Sequence, residues 1–281
     1  TNSRLNGIHD AVIPNKSVTT SGQELRVKSF KNIQEKDGYF FLKGRDEIVT
    51  FRKKREKWSK EKLKIAKEIV SLLKLIPAIK LVGITGALAV NNAKENDDID
   101  LFIITSAGLL WTTRFLVTLF VEITGRRRHP MESKVNNKIC LNMFVDEDHL
   151  EIPQKEQDLF SAHEVVQMKP LFDRENTYKK FLITNQWVKK YLQNSYKEIT
   201  SARSGKDTSE VAKQRFRLLG WWRNQMNIFI LLENFLKSFQ LWYMKSRRTS
   251  EIINDGIIRF HPHDARIWIL KKYSERIERL R

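Results

Sequence analysis

The spacing of apolar positions changes along the chain, and those changes predict its elements. Residues 1 to about 21 are polar and turn-rich (Asn6-Gly7, Pro14-Asn15, Ser21-Gly22), which suits a flexible lead-in. A short helix is expected near Gln23 to Gln34. Gly38 to Leu42 and Glu47 to Phe51 are rich in aromatic and β-branched residues, so they predict a hairpin joined by Lys43 to Asp46. With Arg52 to Arg55 behind it, the hairpin reads either as the wing of a winged-helix module or as a ribbon packed on its neighbour.

From Ser59, a candidate N-cap, the residues Leu63, Ala66, Ile69, Val70 and Leu73 recur at helical spacing with lysines between them, and the pattern stops before Pro77. Ala78 to Ile84 predicts a strand. A loop from Thr85 to Asp97 leads to a second strand, Ile99 to Thr105. Leu109 to Thr124 predicts a helix closed by Gly125, and a third strand follows at Lys138 to Val145. Beyond Leu150 the strand signals nearly vanish: Asp158 to Met168, Thr177 to Leu192, Glu210 to Met244 and His263 to Leu280 all read as helices. The order predicts an α+β fold in three parts: residues 1–57 as lead-in and winged-helix-like hairpin, 58–150 as a mixed-sheet core, and 151–281 as a helical C-terminal domain.

Composition narrows the setting. The chain has 281 residues, enough for one large or two modest domains, and its 41% hydrophobic content with 16 Phe and 7 Trp excludes a disordered chain. Collagen-like and low-complexity classes are excluded by only 11 Gly and 6 Pro. The balance of 51 basic against 33 acidic side chains leaves +18, spread over both halves, which favours a polyanionic partner: nucleic acid, nucleotide phosphates or an anionic membrane surface. An ordinary solvated surface accounts for the same charge equally well. The single cysteine, Cys140, forms no internal disulfide and reads as a small buried hydrophobe, so a reducing, cytoplasmic setting is expected. No membrane insertion is expected, because Arg114 and Glu122 interrupt the longest apolar stretch. The chain starts at Thr1 without a signal pattern, which reads as a fragment or a processed product.

The chemistry concentrates in Leu81 to Val90 and Asn96 to Ile104. Alternation along a strand turns Asp98 and Asp100 to one face and buries Ile99 on the other. Two carboxylates fixed side by side repel unless a cation or a shared proton intervenes, and oxygen donors suit Mg²⁺ or Mn²⁺ held jointly with substrate phosphates. Upstream, Gly86 permits a tight turn whose N–H groups can approach a phosphate, with Ala87 opening a short helix behind it.

An apolar strand, a Gly-small pair, a spacer and an Asp-x-Asp flanked by apolar residues resemble the signature of the DNA polymerase beta-like nucleotidyltransferases. Here these are Gly86-Ala87, Leu88 to Asp97, and Asp98-Ile99-Asp100. Tyr39 to Arg45, Trp111 to Arg114, Cys140 to Asn142, Asn185 to Trp187 and Phe260 to Asp264 resemble segments of prokaryotic members with a winged-helix element before the core and helices after it. The resemblance implies a nucleotidyltransferase core over 58–150 and transfer of a nucleoside monophosphate from an NTP to an acceptor with release of pyrophosphate. It also implies Asp98 and Asp100 as the catalytic, Mg²⁺- or Mn²⁺-binding pair, and Gly86 and Ala87 as the triphosphate cradle.

Two positions depart from that pattern. Ala87 replaces the usual Ser or Gly, and Asn142 occupies the strand that would supply a third carboxylate, where an amide can ligate a metal but cannot act as a base. Asp146 and Asp148 are loop alternatives to it. The departures keep two further readings open: a catalytically weak or inactive nucleotide- or nucleic-acid-binding module, and an antitoxin-like interaction protein. Among secondary candidates, Arg114 reads as a phosphate ligand or as an arginine satisfied on its helix, and Arg126-Arg127-Arg128 as a nucleic-acid contact or a solvated run. The histidines of His261-Pro262-His263 complete no zinc spacing. The aromatic ladder Trp221, Trp222, Phe229, Phe235, Phe239 and Trp242 reads as core packing rather than base stacking.

Overall fold

The computed structural model describes residues 13–14, 33–130, 132–202, 226–245, 252–254, 256–259 and 265–278. Its strands are β1 (Ile13–Pro14), β2 (Ile33–Lys36), β3 (Tyr39–Leu42), β4 (Ile79–Ile84), β5 (Ile99–Thr105), β6 (Ile139–Asp146), β7 (Lys169–Asp173), β8 (Ile252–Ile253) and β9 (Ile257–Arg259). Its helices are α1 (Glu47–Leu73), α2 (Gly86–Ala89), α3 (Leu110–Ile123), α4 (Leu159–Gln167), α5 (Thr177–Thr184), α6 (Lys189–Ala202), α7 (Met226–Met244) and α8 (Ala265–Glu278). The expected α+β class holds.

Six strands form one mixed sheet in the order β7-β4-β5-β6-β9-β8. Only β5 and β6 run parallel; the other neighbours are antiparallel. Every residue of β5 is buried, so this strand has helices over both faces, and its continuous apolar run Leu101 to Ile104 follows from that. Alternate residues divide between two cores. Ile99, Leu101 and Ile103 pack toward α1 and α3, where Ala66, Ile69, Leu73, Trp111 and Val117 are buried. Phe102 and Ile104 pack toward α4, α5 and α6 with Val165, Phe181 and Tyr196.

The first hairpin differs from expectation. It is formed by β2 and β3 around Asp37-Gly38, both at positive φ (53° and 77°), an Asp-Gly turn whose twist matches that of paired strands. Glu47 to Phe51, expected as its second strand, is the first turn and a half of α1. Ile48 and Val49 are buried there against Phe41, and a small apolar cluster served by three residues has no helical period to read. Ser59 is no N-cap: it lies inside α1, fully buried, and its Oγ accepts from Ala93 N at 3.0 Å. The lead-in and the helix expected at Gln23 to Gln34 lie outside the described residues, apart from Ile33 and Gln34 in β2 and two residues in β1.

Strand signals were expected to end near Leu150, yet β7, β8 and β9 come from later sequence and join the same sheet. They are five, two and three residues long, too short for alternation to register. Pro170 sits in β7, the edge strand, the position where a missing N–H is tolerated. The aromatic ladder on α7 is also a correction. Phe235, Phe239 and Trp242 are exposed, Phe235 stacked on Phe239 and Trp242 tilted against it, while Leu236, Gln240 and Met244 form the buried face. Periodicity marks an apolar stripe without saying which stripe docks. Trp221, Trp222 and the side chain of Phe229 lie outside the described residues.

Polar contacts decide how α7 docks on α3. Glu233 accepts from the backbone N–H groups of Trp111 and Thr112 at 2.6 and 2.8 Å, capping α3, whose own N-cap residue Leu109 has no side chain able to do so. Gln240 donates to Trp111 O at 2.8 Å and accepts from Arg114. Among the described residues, no helix is long and apolar enough to cross a membrane.

Lys62 ties α1 to the loops that enter β5 and β6. It is 1% exposed, and its Nζ donates to Glu95 O, Asp97 O, Asn136 Oδ1 and Asn137 Oδ1 at 2.7 to 3.0 Å. Burial holds its pKa below the ordinary lysine value, opposed by the Asp97 and Asp98 charges. Lys62→Met keeps the apolar volume but removes the buried ammonium that four acceptors share. It should lower the unfolding free energy by about 3 kcal/mol, read as an earlier urea midpoint at unchanged slope.

Candidate functional site

The acidic pair stands where β5 begins. Asp98 precedes the strand, Asp100 is its second residue at 9% exposure, and Ile99 between them is fully buried toward α1 and α3. The alternation read from the sequence thus places both carboxylates on one side. Their register comes from β6, with Ile99 opposite Ile139 and Asp100 opposite Cys140. Ligand atoms of Asp98, Asp100 and Cys140 all lie within 4.8 Å of one another. The third group beside the pair is therefore a thiol.

The arginine run is also part of this site. Arg127 forms a parallel bridge with Ile139; Ile139 N donates to Arg126 O and Arg128 N to Ile139 O, at 2.6 and 2.9 Å. This extra backbone pairing carries Arg128 to the acidic pair, where its Nη1 donates to Asp98 Oδ2 at 2.5 Å and approaches Cys140 Sγ at 3.8 Å. Arg127 turns instead to Glu122 at 2.8 Å. Burial opposes the charge on Arg128, but the Asp98 carboxylate and then Cys140 outweigh it and hold the guanidinium pKa above its usual value. The Cys140 thiol is pushed well up, first by burial and then by the charges of Asp100 and Asp98.

Gly86 faces the pair from the end of β4. Its φ is +64°, and a Cβ there would come within 3.2 Å of Asp100 Oδ2. Thr85 N donates to Asp100 O at 3.2 Å, which keeps the turn against the strand. Ala87 follows in α2, a four-residue helix, and its carbonyl accepts from Asn92 N at 2.8 Å.

Asp100, Gly86 and Asn142 share one cleft of about 180 Å³. One wall is apolar, from Phe102, Met143, Phe160 and Phe181. The lining also includes Lys155, Arg259 and Arg266, with Arg259 forked on Glu156 at 2.7 and 3.2 Å and Arg266 on Asp158 at 2.9 Å. Asn142 reaches the cleft through an irregularity in β6: Asp100 pairs with Cys140, but Phe102 pairs with Met143, so one extra residue is accommodated. Asn142 is 7% exposed, and no described residue hydrogen-bonds its amide.

Of the residues singled out in the sequence, Asp98, Asp100 and Gly86 come together, and Asn142 shares the cleft with the last two. Arg114 does not join them: its guanidinium donates to Gln240 on α7, and it forms no part of the cleft wall. Asp146 closes the far end of β6, accepting from Gly108 N and Asp148 N at 2.8 and 2.9 Å, six residues and so roughly 20 Å along the strand from Cys140. His261 to Asp264 lie outside the described residues. Sequence reasoning missed Cys140 and the role of Arg128. The parity that paired Asp98 with Asp100 also pairs Cys140 with Asn142, so strand register was the absent information.

No family model matches the chain, and no curated protein does. The solved structures to which the chain is similar include two complexes. One is described as a toxin-antitoxin with AMP-PNP, at 16% identity, TM-score 0.27, covering 47% of this chain and 97% of that one. The other is a mutant of the toxin-antitoxin MntA-HpeT, at 15% identity, TM-score 0.26, covering 47% of this chain and 95% of that one.

Gly44→Ala should lose about 1 kcal/mol and Gly86→Ala more than that, because both positions have left-handed backbone (φ +80° and +64°). Only at Gly86 does the new methyl also meet a carboxylate, so chemical denaturation should show the larger loss there; equal losses would mean that Asp100 yields without cost.

Proposed function

We propose that the chain is a metal-dependent nucleotidyltransferase, moving a nucleoside monophosphate from an NTP to an acceptor and releasing pyrophosphate. The observation that carries this reading is the convergence of Asp98 and Asp100 beside a cleft whose wall also holds Gly86. The resemblance of Gly86-Ala87 and Asp98-Ile99-Asp100 to the polymerase beta-like signature supports it.

Two carboxylate oxygens at this spacing fit a divalent cation, and Asp98 and Asp100 would hold it. A bound cation would neutralise the triphosphate and clamp the attacking and leaving oxygens. The chain's own groups act around that centre. The backbone at Gly86 gives the triphosphate close approach, since no Cβ stands between the turn and Asp100. The apolar wall of Phe102, Met143, Phe160 and Phe181 suits the flat face of a nucleobase and keeps water from it, and the unpaired Asn142 amide offers one donor and one acceptor to a base edge. The surplus of 18 positive charges supports a nucleic acid as acceptor.

A second reading, a nucleotide- or nucleic-acid-binding module without turnover, is favoured by two features of the acidic site. The Arg128 guanidinium already supplies a positive charge to Asp98, and a thiol rather than a third carboxylate stands across from Asp100. The two readings separate when the purified chain is incubated with each α-labelled NTP, Mg²⁺ or Mn²⁺, and RNA, DNA or lysate. Label should enter an acceptor, and Asp100→Asn should reduce the rate at least about a hundredfold. Retained activity in Asp100→Asn would sink the assignment of the pair. No labelling with any NTP, together with salt-sensitive nucleic-acid binding, would establish the second reading.

A further inference from the structure

The third side chain of the acidic site is a sulfur donor held by strand register. Cys140 is set directly across from Asp100 in the parallel β5–β6 pair, and its Sγ lies within 4.8 Å of carboxylate oxygens of both aspartates. Two independent contacts mark this end of the sheet as a place for a ligand. The Arg128 guanidinium bridges Asp98 and Cys140 at 2.5 and 3.8 Å, so two of the three groups already share a cation. Asn142, two residues along β6 and as a residue more than nine-tenths buried, lines the cleft walled by Asp100, and its amide has no partner among the described residues.

We infer that Cys140 is a direct metal ligand and that the Asp98, Asp100, Cys140 set selects a borderline, sulfur-accepting divalent cation, of the Zn²⁺ or Co²⁺ class, over Mg²⁺. The inference rests on the reading of Asp98 and Asp100 as the cation site and adds the third ligand and its consequence. Mg²⁺ is hard, takes oxygen ligands and demands octahedral geometry, so a sulfur neighbour adds nothing to its binding. Metals later in the first transition row accept sulfur, and their affinity rises with it. Binding breaks the S–H bond, sends the proton to solvent and places the sulfur lone pair on the metal, with no change of oxidation state. Arg128 competes for Asp98 as the cation enters.

The chain's cysteine is its only one, so every sulfur signal comes from this site. The full chain, freed of metal by chelator, is titrated with Co²⁺ and followed by near-ultraviolet absorption. A thiolate-to-Co²⁺ charge-transfer band should appear at saturation. Cys140→Ser should lose it and bind Co²⁺ at least about tenfold more weakly, with Mg²⁺ affinity changed less than about twofold, and Arg128→Gln should bind Co²⁺ more tightly. The wild-type chain supplies a measurement that no variant's folding can spoil: Co²⁺ should protect Cys140 from alkylation, whereas Mg²⁺ at its own saturation should not. Absence of the band with Co²⁺ bound, a band surviving in Cys140→Ser, or equal protection by both cations overturns the inference. These readouts do not depend on turnover. A chain inactive with every NTP can show the band, and an active, Mg²⁺-dependent chain without it would remove Cys140 as a ligand while leaving the transferase reading intact.

Discussion

A single ammonium group holds together the segments from which the acidic site is made. The Lys62 Nζ reaches two carbonyls on the approach to β5 and two side-chain amides on the approach to β6. With three protons for four acceptors, at least one hydrogen bond is shared, and the geometry tolerates little displacement of either loop. The two strands begin side by side for that reason, so Asp98, Asp100 and Cys140 share one end of the sheet. Ser59, nearly a turn earlier on the same helix, adds a bond to Ala93. The long helix α1 thus serves as a rail against which the site is aligned.

The sheet then separates structure from chemistry by parity. One set of β5 side chains builds the core under α1 and α3, and the other begins with a carboxylate and continues as the wall of the cleft. Near Asp100 the charges nearly cancel locally although the chain as a whole is strongly basic. Arg128 answers Asp98, Arg259 answers Glu156 and Arg266 answers Asp158. The cleft therefore sets apolar side chains beside two ion-paired arginines, Arg259 and Arg266, and an entering polyanion meets guanidiniums that must exchange partners to bind it.

Much of the central architecture was legible in the sequence: β4, β5, β6, α3 and α4 carry strong periodicity, and the Asp-x-Asp parity survives intact. What escaped reading falls into two physical classes. Short strands such as β8 and β9, and the Asp37-Gly38 turn beside a helix that begins with β-branched residues, carry too few positions for a period. The other class depends on register. Cys140 looked like a small buried hydrophobe because nothing in a linear pattern says which residue lies across from Asp100, and Arg128 looked solvated because the bridge that carries it beside β6 is a single residue pair, Arg127 with Ile139. A lysine in a lysine-rich helix gives no sign that it alone is buried.

The cap on α3 has a consequence for how the chain is made. Glu233 lies 122 residues after the Trp111 amide it covers, and β6 receives β9 from still later sequence. During synthesis, α3 and the acidic strand leave the ribosome well before either partner exists. The half-built domain must wait with open amides at the head of a strongly apolar helix and an unpaired strand edge beside the site, the kind of surface that invites chaperones or misassembly. Arrival of α7 and then β9 is the event that closes the early fold.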